Sequence, residues 1–167
     1  MIDTISRWMG GITPEKTAYS LLNILAPIGD RLSSQSLSSA ALAITGAGST
    51  TAKIGAAIYY ASVMGSVQSI AANTNLPALT GITAPANNYV IACFFIDGGG
   101  TTTVVGGTPG ATAATAKFPP FPAGKTLIGW LLITNGASVF TGGTTPLDTA
   151  TTLYFNSVGP FDPSILV

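Results

Sequence analysis

The triplet Gly124-Lys125-Thr126, inside "FPPFPAGKTLIGWLLITNG", is the stretch whose residue types could hold a phosphate. In a phosphate-binding loop the lysine reaches the β- and γ-phosphates and the Ser/Thr hydroxyl binds magnesium. That loop also needs a leading glycine, free main-chain N–H groups, a strand before it and a helix after it. Here Pro119 stands where the leading glycine belongs, and Pro122 interrupts the residues between. Proline has no N–H to offer a phosphate. The following "TLIGWLLI" is β-branched and aromatic, which favours a strand. Nucleotide binding is therefore not expected. Lys125 reads as a solvated strand-entry charge or a contact to a neighbouring subunit.

Other chemistry finds less support. The chain has no histidine, so it lacks the usual general base and the commonest metal ligand. Cys93 lies in the apolar run "YVIACFFI" and is expected to be a small buried hydrophobe, with no partners for a zinc site. Asp97, Asp148 and Asp162 each sit beside Gly, Pro or Thr, where an aspartate caps a turn. A carboxylate pair for glycoside hydrolysis needs two of them to converge, and their spacing predicts no convergence. "DGGGTTT" lacks the repeated ligands of a calcium loop. The aromatics Tyr59, Tyr60, Phe94, Phe95, Trp130, Tyr154 and Phe155 fall in strand-like runs, where packing is the default over ligand stacking. No catalytic, cofactor-binding or metal-ligating residue is expected, and no enzyme activity.

Composition supports this. Charged residues make up 7% of the 167 residues, against about 25% in a typical soluble domain. The net charge is +0, which leaves no basic footprint for nucleic acid or an anionic membrane. Seven of the charges fall at or before Lys53: Asp3, Arg7, Glu15, Lys16, Asp30, Arg31 and Lys53 itself. Beyond it stand only Asp97, Lys117, Lys125, Asp148 and Asp162. A surface so poor in charge invites association, so part of it is expected to be covered by neighbouring subunits. No apolar run approaches the roughly 20 residues of a membrane-spanning helix. No charged segment followed by an apolar one opens the chain, so no secretory signal is expected.

The elements that must carry these residues are mostly strands. "TPEKTAYSLLNILAP" predicts one short helix. Thr13 caps it, Pro14 opens it, Ala18, Leu21, Leu22 and Leu25 recur at helical spacing, and Pro27 stops it. A Ser-rich connector leads to the strand "ALAIT". In "AKIGAAIYYASVMGSVQSI" a period-2 reading puts Ile54, Ala56, Ile58 and Tyr60 on one side of a strand. "NTNLPALTGITAPANN" reads as a long loop. Two similar segments follow, about 37 residues apart. Each has an apolar strand, a turn (Asp97-Gly98-Gly99-Gly100 or Thr134-Asn135-Gly136-Ala137), a short strand and Gly-Gly-Thr. Both read as β-hairpins. "ATTLYFNSV" is a last strand and "GPFDPSILV" a tail. The expected fold is all-β, an antiparallel β-sandwich or jelly roll with a short N-terminal helical arm. Residues 1–39 form the arm and Ser-rich connector. Residues 40–167 form the β-domain with its tail, the strands ending near residue 160.

From Ser69 to Gly159 the chain resembles virion structural proteins of tailed bacteriophages. The marks are Phe118, Pro119, Pro122, Gly124, Ile128 and Gly129 at a strand entry, then a hairpin. Phe140, Gly142, Gly143, Thr144, Leu147 and Asp148 follow before the final strand. The resemblance implies a capsid decoration, or cement, protein: a homotrimer on the outer head surface, bound to the major capsid protein after synthesis in the host cytoplasm. It carries no chemistry and needs no cofactor. The competing expectation is a tail, baseplate or fibre module of the virion that binds a host receptor or carbohydrate.

Overall fold

The computed structural model describes residues 33–160. Its elements are all strands, and every strand pairing is antiparallel. The all-β class is as expected. The helix read at residues 13–27, most of the arm, and the tail beyond Pro160 lie outside the described residues.

The longest apolar runs build the central sheet. Strands β7 (Tyr89–Asp97) and β9 (Lys125–Thr134) pair along their length. Strand β8 (Thr102–Gly106) flanks β7 and β11 (Thr151–Asn156) flanks β9, giving the order β11-β9-β7-β8. The run "YVIACFFI" does not alternate, because both faces of β7 are covered. On one face Val90, Ala92, Phe94 and Ile96 join Leu131 and Ile133 in the main core. On the other, Ile91, Cys93 and Phe95 join Leu127 and pack with Phe118 and Phe121. The Phe121 ring meets Phe95 edge-on, at 5.1 Å and 82°. The proline-rich approach to β9 thus covers the second face. Each buried aliphatic or aromatic side chain contributes about 1.5–3 kcal/mol.

A three-stranded sheet packs on the first face. It runs β1-β4-β5, with β1 at Gln35–Ser36, β4 at Tyr59–Val63 and β5 at Ser66–Ile70. Tyr59, Ala61 and Val63 point into the main core, and β4 contacts both β7 and β9. Two short pairs complete the structure: β2 (Ala43–Ile44) with β3 (Ala52–Lys53), and β6 (Thr83–Ala84) with β10 (Phe140–Thr141). The expected loop starting at Asn73 is tied down by Leu76, Leu79 and Ile82, all buried.

One irregularity organises β9. Phe94 lies opposite Gly129 but Phe95 lies opposite Leu127, so Ile128 is an extra, bulged residue. The bulge resets the alternation. Leu127 faces the second core, and Ile128 and Leu131 face the main one. Gly129 is required there, since a Cβ would sit 2.4 Å from the Phe155 carbonyl oxygen and 2.7 Å from Leu42 Cδ1.

Three expectations are corrected. The turn after Thr134 does not close a hairpin, because β10 pairs with β6 and not with β9. Both edges of β9 are already occupied, by β7 and β11, so no edge remains for it. The face Ile54, Ala56, Ile58 and Tyr60 is not one face. Ile54 is buried, but Ala56, Ile58 and Tyr60 are exposed, and β4 turns Tyr59, Ala61 and Val63 inward. The alternation breaks at Gly55, whose N–H bonds the Ala40 carbonyl at 2.9 Å. A Cβ there would lie 2.7 Å from Ala41. Third, β4 and β5 form a hairpin that the sequence reading missed. Met64 and Gly65 are its loop, with φ 51 and 79, the two positive angles of a type I′ turn. Gln35 and Ser36, read as connector, form β1 on the edge of that sheet.

Candidate functional site

The phosphate-loop residues become part of the scaffold. Strand β9 starts at Lys125, so the triplet opens a strand and not a helix. Thr126 is buried, and its hydroxyl donates to the Ser62 carbonyl at 2.6 Å. Lys125 Nζ donates to Thr103 Oγ1 on β8 at 3.0 Å. The threonine oxygen that would hold magnesium is therefore held against β4, and the lysine lies along the sheet.

The other titratable groups follow the same pattern. Burial pushes the Cys93 thiol up, so it is no nucleophile near neutral pH. Asp97 Oδ1 accepts from the Gly99 and Thr101 N–H groups, each at 2.9 Å, capping the β7–β8 turn. Asp148 Oδ2 accepts from Gly48 N–H at 2.7 Å, capping a turn distant in sequence. These carboxylates sit at opposite ends of β9. Asp97 pairs with Lys125 at its start, and Thr151, just after Asp148, pairs with Thr134 at its end. Ten residues of strand separate those ends by about 30 Å, where a glycosidase pair needs roughly 5–10 Å. Asp162 lies outside the described residues. Among the described residues no three His, Cys, Asp or Glu side chains come together to hold a metal.

One buried polar cluster remains. Ser36 Oγ donates to the Leu127 carbonyl at 2.7 Å, so the Tyr59 hydroxyl donates to Ser36 Oγ at 2.5 Å. Burial pushes the Tyr59 phenol up to about 12, against the opposing effect of its Ser36 bond. The cluster joins β1, β4 and β9. Burial and the Asp148 charge both push the Tyr154 phenol up. A shallow open groove of about 380 Å³ runs between Thr80–Thr83 and Val104–Pro109, and no ionisable side chain lines it.

The aromatic and apolar side chains outside the main core are of another kind. Trp130 and Phe155 stack at 5.2 Å and 7°, with Phe118 edge-on to Trp130 at 5.5 Å. Leu37, Ile58, Tyr60, Met64 and Val67 are exposed around the β1-β4-β5 sheet. Sequence reading put Tyr60 on one side of a strand with Ile54, Ala56 and Ile58, and did not single out Leu37, Met64 or Val67. The available signal was the dipeptide Met64-Gly65 between two alternating runs, hidden because methionine is not a turn residue. Among the described residues no helix is long and apolar enough to cross a membrane. In comparisons with known proteins, no family model, no curated protein and no solved structure matches this chain.

Proposed function

We propose that this protein is a bacteriophage capsid decoration (cement) protein. In this reading the three-stranded and four-stranded sheets form a β-sandwich of jelly-roll type. The protein assembles as a homotrimer on the outer head surface and bridges subunits of the major capsid protein by surface burial alone. The resemblance of residues 69–159 to tailed-phage virion proteins supports the phage assignment. The observation that carries the structural role is a division among side chains. Thr126, Asp97, Asp148, Tyr59 and Cys93, the groups capable of chemistry, are committed to scaffold bonds or to the core. Among the described residues, large apolar side chains such as Met64, Val67 and Val158 are left on the surface, beside few charged ones. A tail module binding carbohydrate would be favoured by aromatic rings at loop tips. Trp130 and Phe155 lie within β9 and β11 and stack on each other, which favours the head.

Location and copy number in purified virions test the reading. Many copies over the head, with particles lacking the protein losing resistance to heat, are expected. A few copies at the tail, or particles of unchanged heat resistance without it, would overturn it.

A further inference from the structure

We infer that the outer face of the β1-β4-β5 sheet is the surface through which two copies of this chain associate. The register defines that face. Ser62 lies between Gln35 and Val67, and Tyr60 pairs with Ser69. Leu37 continues β1 beside Tyr60, donating its N–H to the Tyr60 carbonyl at 2.9 Å. The alternate residues Ser36, Tyr59, Ala61 and Val63 are the buried ones. Leu37, Tyr60 and Val67 therefore point outward together, 49%, 43% and 65% exposed. Ile58 shares the parity of Tyr60 and is 49% exposed, and Met64 stands at the hairpin tip, 68% exposed.

Three further observations point to a second copy. The first is Met64 itself. It holds φ 51 at the first loop position of a type I′ turn, where Asn, Asp or Gly is the unstrained choice. A methionine kept there places a flexible apolar side chain at the apex, suited to contact with another surface. The second is the edge. Strand β5, "SVQSI", is an edge strand carrying no charge, no proline and no bulge, the devices that keep strand edges apart. The third is area and character. Five side chains this exposed present about 500 Å² of apolar surface, the upper range for a patch on a monomer. A stable interface needs about 800 Å² per partner. Gln35, Ser62 and Ser69, on the same face by register, extend it toward that area. No residue of β1, β4 or β5 is charged, and charge depletion with apolar side chains is the character of homo-oligomer interfaces.

The inference goes beyond the proposed function, because it holds whether the assembly sits on a head or a tail. Sedimentation velocity on the full chain at about 10 µM tests it, well above a micromolar dissociation constant. The wild type is expected to be oligomeric. The double variant Met64→Asn, Val67→Lys is expected to shift at least about tenfold toward monomer. Its turn is relieved of strain and its second site is on the surface, so its circular dichroism should be native. Val139→Lys, at the opposite end of β9 and 56% exposed, should keep the wild-type mass. A monomeric wild type, or a double variant of wild-type mass, would overturn the inference. A double variant that keeps its mass but no longer binds capsids would assign the face to the capsid. That result overturns the inference and leaves the proposed function standing.

Discussion

The Thr126 hydroxyl and the Ser62 carbonyl, 64 residues apart in the chain, are joined by a 2.6 Å hydrogen bond that ties β9 to β4. The bond converts the most phosphate-like residue of the sequence into a link between the two sheets. It also explains why a threonine is tolerated at a buried position facing apolar neighbours.

Replacing Thr126 with valine keeps the shape and removes the donor. The Ser62 carbonyl then loses its side-chain partner in a partly buried setting, at a cost of about 1 kcal/mol. Thermal or urea unfolding measures this. Neither the wild type nor Thr126→Val is expected to bind magnesium-ATP in calorimetry, so a nucleotide-dependent rise in melting temperature would contradict the scaffold role.

At Gly129 the backbones of β9 and β11 approach too closely for any side chain. Gly129→Ala puts a methyl group 2.4 Å from the Phe155 oxygen. The expected loss is about 1–3 kcal/mol or more, because main chain and not a flexible side-chain tip must move. Hydrogen exchange should show the damage first along β11, the edge partner. Uniform loss of protection across all sheets at unchanged stability would contradict this account.

The Tyr59 phenol links stability to alkaline pH. Its folded pKa is raised from 10.0 to about 12. The neutral form is favoured in the fold, so this contribution is fully present below pH 10 and is lost as pH rises toward 12. The loss across that window is about 2–3 kcal/mol. Cys93, also raised, acts with the same sign from about pH 9 upward, where an unfolded thiol ionises. Tyr59→Phe should cost about 0.5–1.5 kcal/mol at neutral pH, through the lost bond to Ser36, and should flatten the decline above pH 10. Urea unfolding from pH 8 to 12 on both proteins checks it; an unchanged slope in Tyr59→Phe would remove Tyr59 as the cause.

Local signals were legible in proportion to how local their causes are. The turn Asp97-Gly98-Gly99-Gly100 was readable, since Asp97 caps its own backbone two and four residues on. The apolar centre of β7 and the burial of Cys93 were readable, because an unbroken apolar run needs cover on both faces. The failure of the phosphate loop was readable from Pro119 and Pro122 alone. By contrast, the turn at Asn135-Gly136 was visible, but not that its second arm would leave for β6. The outward set Leu37, Tyr60 and Val67 stayed hidden, because Gly55 and the Met64 turn reset the parity on which any face assignment rests.

The sequence by itself determined the all-β class, the positions of the long apolar strands, and the absence of a phosphate-loop pattern or a histidine base. These follow from backbone preferences and residue inventory, which act over a few neighbours. The tertiary structure decided which strand edges met, that Ile128 would bulge so that Gly129 could lie under Phe155, and that Thr126 would bond Ser62. It also decided which apolar side chains were left outside. Those outcomes depend on competition for a limited number of edges and faces among segments far apart in the chain, and no local window contains that competition.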